Sequence, residues 1–428
     1  MRLSPIAILG VAVSSYALTA CTEITALEQN NPGQVSAASV YTPTNAQLLV
    51  NGAISDFECA YTRYVVGSGL LIDELANSIG AVANYDYEAR RLPTNASYGT
   101  ANCGSNQQPP IYSTLSTARG SADTVLARLR EWKDSDLPTG VNRQRLIAQA
   151  ATYAGYSLVL MGEGMCSAAI NVGPELQPAA IFAEAKSRFD AAVTEATAVN
   201  DAATLNLALL GRARTLLNLK QAAAAATDAA KIPASFNAVT GTDAVQVRRQ
   251  NFAFLTINQN SFNTVDASFR GLTINGAPDP RVAVTNQNRN GTAPGMAIWT
   301  PDKYPSLTTV MSIARYAEAQ LIVAEARLEA GDLAGAVAAI NVVRASRAGV
   351  PAYDGTGQTA EQVRATLIED RRRELFLEGH RLGDIRRYGL PLNPAAGTAY
   401  TVGGGVYGTQ NCFPLPDVER VNNPNIGR

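Results

Sequence analysis

A succession of alanine-rich amphipathic segments constrains the fold of this chain more than any other feature. From Ala46 onward, apolar residues recur three or four positions apart, as they do on one face of a helix. The same spacing predicts further helices over residues 113–133, 141–161, 178–199, 203–230, 309–330, 333–348 and 360–388. Because short turns join most of them, consecutive helices are expected to pack as antiparallel neighbours. The sequence therefore predicts a mainly α fold of stacked helical hairpins.

Two alanine-rich stretches are similar to each other and indicate a repeated unit. ARTLLNLKQAAAA occupies residues 213–225, and ARLEAGDLAGAVA occupies residues 326–338. Each stretch reads as a helix, a tight polar turn and the start of a second helix, which resembles the tetratricopeptide helix pair. An unrelated alanine-rich hairpin would show the same degenerate pattern, so this similarity alone does not separate the two interpretations.

Two long segments interrupt the helical pattern. Residues 77–112 have no steady period and are rich in Asn, Gly, Pro and Tyr. Residues 234–308 are also irregular, although the alternation in FAFLTI at 252–257 predicts a short strand there. Irregular segments of this length are uncommon in compact domains unless they are functional. We therefore expect ligand-binding loops at about 73–112 and 234–308, the second being an insertion of short strands and loops between helical units.

The N-terminus resembles a bacterial lipoprotein signal. Residues 6–18 are apolar or small throughout, and at about 1.5 Å per residue they are too short a helix to span a bilayer core of roughly 30 Å. LTAC at 18–21 places small residues directly before Cys21. We predict a signal peptide over 1–20, lipidation of Cys21, a polar tether over 21–43 and a single domain over 44–428. An ordinary secretory signal with a chance cysteine is the alternative.

The remaining cysteines predict two disulfides. Cys59, Cys103, Cys166 and Cys412 follow Cys21, and an even number in an exported chain favours pairing. Of the three possible pairings we favour Cys59–Cys103, which links the first helix to the long loop, and Cys166–Cys412, which links the C-terminal tail to the helical body. Free buried thiols are the alternative. Because no CxxC pair occurs and the chain has one histidine, we expect no metal site and no cofactor.

The charge balance excludes nucleic acid as a partner. The chain carries 35 Lys and Arg against 36 Asp and Glu, a net charge of −1. Binding to a phosphate backbone is driven by an excess of basic side chains, which is missing here. With 46% hydrophobic residues, the chain can build a substantial core.

A charged segment near the C-terminus has the residue types of an active site. Residues 371–388 interleave arginines with Glu374, Glu378, His380 and Asp384. Glu374 and Glu378 share a helix face and could be the two carboxylates of a glycosidase. The arginines, however, would keep both carboxylates ionised, whereas the acid of a glycosidase needs a raised pKa. No Gly-x-Ser-x-Gly motif accompanies the histidine. We therefore predict structural ion pairs and no catalytic residues.

The C-terminal half resembles the SusD/RagB family of outer-membrane nutrient-binding lipoproteins. Three stretches, together with the LTAC box, carry the resemblance: ARYAEAQLIVAEARLEAGDLAGAVAAINVVRASRAG at 314–349, RRRELFLEGHRLGDIRRYG at 371–389 and CFPLPDVERVNNPN at 412–425. DPR at 279–281 and KYP at 303–305 are also similar to landmarks of that family. Both the residues of each block and the order of the blocks along the chain agree with the family.

The resemblance implies a fold, an anchor and a partner. It implies helical, tetratricopeptide-like pairs (a SusD-like fold) with an irregular region that carries the ligand site. It also implies a TonB-dependent β-barrel transporter of the SusC type as partner, with the lipoprotein attached to the outer membrane through acylated Cys21. In that arrangement the protein captures oligosaccharide or peptide at the cell surface for import and is not an enzyme.

Aromatic side chains in the two irregular segments are the candidate ligand contacts. Tyr and Trp rings offer large flat faces with a polar end, which suits sugars and peptides. The first segment contributes Asn84, Tyr85, Tyr87, Arg90 and Tyr98, and the second contributes Trp299 and Tyr304. These positions follow from the two regions in which the family places its ligands, and no motif selects among them. The alternative is that the rings cap the core.

Two other functions are compatible with parts of the sequence. A tetratricopeptide-like envelope scaffold that binds proteins would explain the helical pairs, but it would show a smooth groove without two long aromatic loops. A glycoside hydrolase would explain the carboxylate pair, and its activity would be lost when Glu374 or Glu378 is changed to Gln.

Overall fold

The computed structural model describes residues 37–80, 82–105 and 107–427, with backbone alone at residue 38 and at 82–84. The predicted signal peptide over 1–20, Cys21 and most of the tether lie outside these residues. Within them, no helix is both long enough and apolar enough to cross a membrane.

Helices form most of the described chain. In chain order they are α1 (Ala37–Val40), α2 (Ala46–Leu71), α3 (Val82–Glu88), α4 (Tyr112–Glu131), α5 (Arg143–Gly164), α6 (Pro178–Ala198), α7 (Ala202–Asn218), α8 (Ala222–Ala229), α9 (Tyr316–Glu329), α10 (Leu333–Ala345), α11 (Ala360–Glu374), α12 (Arg381–Tyr388) and α13 (Asp417–Asn422). The predicted mainly α, tetratricopeptide-like fold is confirmed. Six of the eight predicted helices appear as single helices whose ends agree to within a few residues, except that the one predicted from residue 309 begins at Tyr316.

The first four long helices pack in sequence, each against the next. Helices α2, α4, α5 and α6 are neighbours in that order, and α7 follows α6. Close approach of α5, α6 and α7 depends on small residues, because the buried Phe189 ring of α6 packs against Gly155 and Gly211. A Cβ at either glycine would lie 2.8 or 2.4 Å from that ring. Most buried residues of this half belong to one continuous hydrophobic core.

Both copies of the self-similar stretch form helix–turn–helix pairs. Helices α9 and α10 are joined by a two-residue turn after α9's C-cap, in which Gly331 has φ +79° and Asp332 caps α10 by accepting from the Gly335 amide. Helices α7 and α8 are joined at residues 219–221, where Lys220 has φ 59°. The prediction of one helix over 203–230 is therefore wrong, because the left-handed residue reverses the chain. Helix α8 packs on α9 and brings the two pairs together.

The predicted helix over 360–388 is also two helices. The chain leaves helical geometry between Glu374 and Arg381, where Leu377 (φ 53°) and Gly379 (φ 71°) are left-handed. This break buries Phe376 and Leu377 in the core, and the Leu377 amide donates to Glu74 Oε1 at 2.9 Å. The sequence pattern is continuous across the break because both halves present apolar residues to the same core.

The strands are short, and those described pair two by two. They are β1 (Leu75–Asn77), β2 (Ala168–Ala169), β3 (Glu175–Leu176), β4 (Asn237–Val239), β5 (Asn263–Val265), β6 (Thr273–Ile274), β7 (Ala277–Pro278), β8 (Val284–Asn290), β9 (Ala297–Pro301) and β10 (Ser312–Arg315). All the pairs are antiparallel: β1–β5, β2–β3, β4–β10, β6–β7 and β8–β9. Six of these ten strands lie in the predicted insertion, 234–308. The strand predicted at FAFLTI is wrong, since Phe254–Gln259 form a π-helical turn.

Both predicted disulfides are present. Cys59 of α2 bonds Cys103 of the long loop, and Cys166, just after α5, bonds Cys412 of the C-terminal tail. Each links an irregular segment to a long helix. In the chain-entropy model a loop of 44 residues, as between Cys59 and Cys103, contributes roughly 4 kcal/mol by restricting the unfolded chain.

Candidate functional site

The two irregular segments meet at an open groove of about 650 Å³. Residues 100–104 of the first segment form one wall, and residues 245–248 of the second segment form the other. The floor is made by the start of α4, at Ser113, Thr114 and Thr117, and by Asp56 of α2. We call this the interloop groove. Its volume is within the roughly 300–1,000 Å³ that small-molecule sites usually occupy.

The first wall is attached to helices on two sides. Cys103 is bonded to Cys59 of α2, and Ser113 Oγ at the start of α4 donates to the Ala101 carbonyl at 2.5 Å. Within the wall, the Gly104 amide donates to Asn102 Oδ1 at 2.8 Å. The wall is therefore a short turn held in place at both of its ends.

The second wall is a turn organised by Asp243. Its Oδ1 accepts from the amides of Val245 at 2.7 Å and Gln246 at 2.8 Å. These two amide hydrogen bonds lower the pKa of Asp243 below its usual value. A 3₁₀ turn over Val247–Arg249 follows, and Arg248 pairs with Asp56 across the floor. Asp243 and Asp56 thus position the second wall.

The lining offers hydrogen-bonding groups beside small apolar surfaces. Within the described residues, the Gln246 carboxamide and the Asn102 amide nitrogen have no hydrogen-bond partner, and both side chains are exposed. Val245 is 83% exposed and Val247 42% exposed. Amides can donate to and accept from hydroxyl groups, whereas the valine methyls can cover the C–H face of a ring. Such a surface suits a neutral ligand with many hydroxyls.

Three of the predicted ligand-binding rings are part of the core. Tyr87 and Tyr98 are fully buried and Tyr304 is 1% exposed. Their hydroxyls donate to backbone carbonyls, Tyr87 to Pro109 at 2.9 Å, Tyr98 to Pro414 at 2.9 Å and Tyr304 to Leu377 at 2.8 Å. The prediction that these rings present a face to a ligand is therefore corrected: a buried phenol with its hydroxyl paired stabilises the fold.

Tyr85 and Trp299 lie near the surface but outside the lining of the groove. Tyr85 is partly exposed and contacts Tyr400 edge-on, with ring centroids 6.0 Å apart. Trp299 is partly exposed under the guanidinium of Arg270, which lies 5.6 Å from its ring.

Arg90 and Asn84 complete the predicted set. Arg90 is 2% exposed, donates to the Pro394 carbonyl and lies 4.9 Å from the ring of Tyr407. It therefore holds the C-terminal tail instead of facing solvent, which corrects its predicted role as a ligand contact. The side chain of Asn84 lies outside the described residues.

The sequence prediction named the two segments that meet at the groove but did not name the residues that line it. Asn102 and Gln246 carry no aromatic ring and were not singled out. A signal was available in GTDAVQVRRQ at 241–250, where an exposed valine pair alternates with polar residues, and in the asparagine directly before a disulfide cysteine. Aromatic content was the wrong criterion because ring faces in loops are as useful to a core as to a ligand.

The charged segment is a buried ion-pair network, as predicted. Glu374 pairs with Arg315 at 2.7 Å and with Arg347 at 2.9 Å. Glu378 pairs with Arg315 at 2.9 Å and with Lys303. Burial opposes ionisation of Glu378, but the charges of Arg315 and Lys303 outweigh it and lower the pKa of this carboxyl. Glu378 is therefore not available as a proton donor at neutral pH.

His380 and Asp384 belong to the same network. Asp384 accepts from Arg371 at 2.9 Å and from Arg387 at 3.0 Å. His380 is buried 3.8 Å from Glu318. Burial, and then the neighbouring Arg214, lower the pKa of His380 well below its usual value, so its imidazole is neutral. Within the described residues, no three His, Cys, Asp or Glu side chains converge as metal ligands.

Comparisons with known proteins find similarity to SusD-like proteins. Residues 242–425 match the model of the SusD family. No curated protein sequence matches the chain. Among solved structures, a SusD superfamily protein from Bacteroides vulgatus shares 17% identity over 89% of this chain and 97% of its own, with a TM-score of 0.67.

Two further structures of similar fold are described by what they bind. A laminarin-binding SusD-like protein has 16% identity and a TM-score of 0.66, with 90% of this chain and 98% of that chain covered. Surface glycan-binding protein A from Bacteroides thetaiotaomicron has 14% identity and a TM-score of 0.67, again with 90% and 98% covered. At these identities the similarity establishes the fold. Residues 242–425 are thus similar to the SusD family in sequence, and the chain shares the SusD-like fold over most of its length.

Proposed function

We propose that this protein is a lipid-anchored, cell-surface subunit that captures an oligosaccharide in the interloop groove for import through a partner transporter. The observation that carries the proposal is the meeting of the two irregular segments of a SusD-like fold at an open, polar groove of about 650 Å³. The glycan-binding descriptions of proteins with the same fold support an oligosaccharide over a peptide as ligand.

Binding in the groove requires no chemistry from the protein. Asn102 and Gln246 donate to and accept from sugar hydroxyls, and Val245 covers a ring face. Each neutral hydrogen bond contributes only about 0.5–1.5 kcal/mol net, so a few such contacts give a reversible complex. Reversibility is what a protein that passes its ligand on needs. The ion-paired Glu374 and Glu378 and the neutral His380 support a protein without hydrolytic activity.

The anchor and the partner are inferred from the family. Acylated Cys21 would hold the domain at the outer membrane through a tether of about twenty residues. A SusC-like, TonB-dependent β-barrel would receive the ligand. The domain over 44–428 would then act as a lid beside the barrel, and its two irregular segments would face the transported nutrient.

A binding experiment tests the ligand. Calorimetry of the chain lacking residues 1–21 with laminarihexaose, maltohexaose, cellohexaose and xylohexaose is expected to show binding of at least one hexasaccharide without release of sugar. The double variant Asn102→Ala, Gln246→Ala should bind it at least ten-fold more weakly. Gln144→Ala removes an exposed amide far from the groove and should bind normally. Binding of peptides and of no glycan would contradict the ligand class.

A membrane experiment tests the anchor and the partner. The full chain should sediment with outer membranes and co-purify with a TonB-dependent transporter, whereas Cys21→Ala should appear in the aqueous fraction. Co-purification with envelope-assembly proteins alone would favour the scaffold function instead.

A further inference from the structure

Arg63 of α2 is a buried cation without a carboxylate partner. Its side chain is fully buried, and among the ion pairs of the described residues none includes it. Its Nε has no hydrogen-bond partner, and its guanidinium lies 4.5 Å from the ring of Phe252. Burial, and then the charge of Arg248, lower the pKa of Arg63 to about 9. A buried charge of this kind is unfavourable for folding unless it is compensated.

Three of the four side-chain hydrogen bonds of Arg63 connect the two walls of the interloop groove, and the fourth goes from Nη1 to Thr62 Oγ1 at 2.9 Å. Nη2 donates to the carbonyl of Cys103 at 3.1 Å on the first wall and to the carbonyl of Val247 at 3.1 Å on the second. Nη1 donates to the carbonyl of Arg248 at 3.5 Å, also on the second wall. One side chain therefore bridges two segments that are about 140 residues apart in sequence.

One face of α2 carries three separate links to the walls. Asp56, Cys59 and Arg63 follow one another at intervals of three and four residues, which places them on the same side of the helix. Asp56 pairs with Arg248, Cys59 is bonded to Cys103, and Arg63 contacts both walls. The helix thus sets the width of the groove from below.

We propose that Arg63 is the positioning residue of the interloop groove, fixing both walls from below by hydrogen bonds to their backbone carbonyls. An apolar side chain would fill the same space against Phe252 without a buried charge, so packing alone does not account for an arginine here. The role rests on the proposed function, since it matters for the ligand that the groove binds.

Hydrogen exchange on the unliganded protein tests the positioning directly. At the first wall, the backbone amide of Ser105 donates to the backbone carbonyl of Asn102 at 3.0 Å. At the second wall, the backbone amide of Arg249 donates to the backbone carbonyl of Gln246 at 2.7 Å. In Arg63→Met both amides should exchange at least ten-fold faster, while the melting temperature stays within about 2 °C of wild type. Arg63→Lys keeps the charge but not the forked donors and should recover part of the protection.

Arg386→Met is the matched control. Arg386 also donates to three backbone carbonyls, those of Gly162, Glu163 and Met165, but it does not line the groove. This variant should leave exchange of both wall amides unchanged. Unchanged wall exchange in Arg63→Met would overturn the proposal. A large drop in melting temperature with faster exchange throughout would also overturn it, since Arg63 would then support the whole fold.

Ligand binding separates this proposal from the proposed function. Arg63→Met should weaken the binding of laminarihexaose, or of whichever of the four hexasaccharides wild type binds most tightly, by at least ten-fold. Arg386→Met should leave that affinity unchanged. If wild type binds none of them, the proposed function fails, and the exchange result alone decides the role of Arg63. If the exchange rises in both walls and affinity does not change, the groove is not the binding site.

Discussion

Glu88 ties the first irregular segment to the C-terminal tail. Its Oε2 accepts from the Asn77 amide at 2.7 Å and from the Tyr400 hydroxyl at 3.0 Å, and its Oε1 accepts from the Tyr407 hydroxyl at 3.2 Å. Burial raises the pKa of Glu88 to about 7, although these three hydrogen bonds act in the opposite direction. The carboxyl is thus half-protonated near neutral pH.

The raised pKa makes the stability of the fold depend on pH. Between about pH 4.5 and about pH 7, the folded state keeps a proton on Glu88 that the unfolded chain has lost. The stability contributed by Glu88 is therefore full below this pH interval and is lost as the pH rises through it. Glu88→Gln removes this dependence. The difference in unfolding free energy between wild type and variant should fall by up to about 3 kcal/mol from pH 4 to pH 8. Urea unfolding at several pH values measures it, and a constant difference would contradict the assignment.

Tyr87 shows the consequence of finding a predicted ligand contact in the core. Tyr87→Ala should lower the unfolding free energy by about 3–5 kcal/mol because it removes a fully buried ring. Tyr87→Phe removes only the bond to Pro109 and should lower it by about 1 kcal/mol. Neither change should alter glycan affinity in calorimetry. The partly exposed Tyr85→Ala is the control for stability and should have the smaller effect. Weaker binding at unchanged stability would restore the original prediction.

The sequence could not predict which individual side chains of the two irregular segments are exposed. Composition located both irregular segments, but whether a tyrosine in such a segment faces inward depends on partners far away in the chain. Tyr98 is covered by the C-terminal tail near Pro414, more than 300 residues later. No local pattern contains that contact.

At the scale of elements, α11 carries acidic residues in two different environments. Glu374 is fully buried between Arg315 and Arg347, whereas Glu369, five residues earlier, is 41% exposed beside Arg372 and Arg373. Glu374→Gln removes one of the two carboxylates paired with the buried Arg315 and should destabilise the protein by about 1–3 kcal/mol. Glu369→Gln should change the unfolding free energy by less than about 1 kcal/mol. Thermal unfolding compares the two variants.

The same pair of variants tests the glycosidase interpretation. Neither wild type nor either variant should release reducing sugar from the four hexasaccharides. Hydrolysis by wild type that disappears in Glu374→Gln would show that the buried ion pairs belong to an active site after all.

Helix existence was predictable from sequence, and the self-similar stretch at 213–225 also indicated the turn near Lys220. The break at Leu377 was harder to predict, because the periodicity of apolar residues continues through it and the residues after it turn back onto the same core. That reversal depends on left-handed residues, of which Gly379 gave the local signal. The strand predicted at FAFLTI is wrong for a related reason: apolar residues in a largely buried segment fit a helical turn as well as a strand.

At the scale of the whole molecule, the two disulfides have separate roles. Cys59–Cys103 lies at the groove, whereas Cys166–Cys412 joins the tail to the end of α5. Replacing both cysteines of the second pair with alanine should lower the unfolding free energy by about 2–5 kcal/mol and leave glycan affinity unchanged. The corresponding double variant of the first pair should also weaken binding. Equal affinities in the two variants would show that the first disulfide does not order the groove.

The second disulfide also has a consequence for the durability of the chain. It joins residues 246 positions apart, so it closes a covalent ring that contains helices α6 to α12 and the whole strand-bearing insertion. A protease that cuts once anywhere inside this ring opens it without freeing a fragment, because the disulfide still joins the two pieces. On a denaturing gel such a nicked molecule would run as one band until it is reduced. A single cut in the segment over 234–308 would therefore leave the two pieces covalently joined.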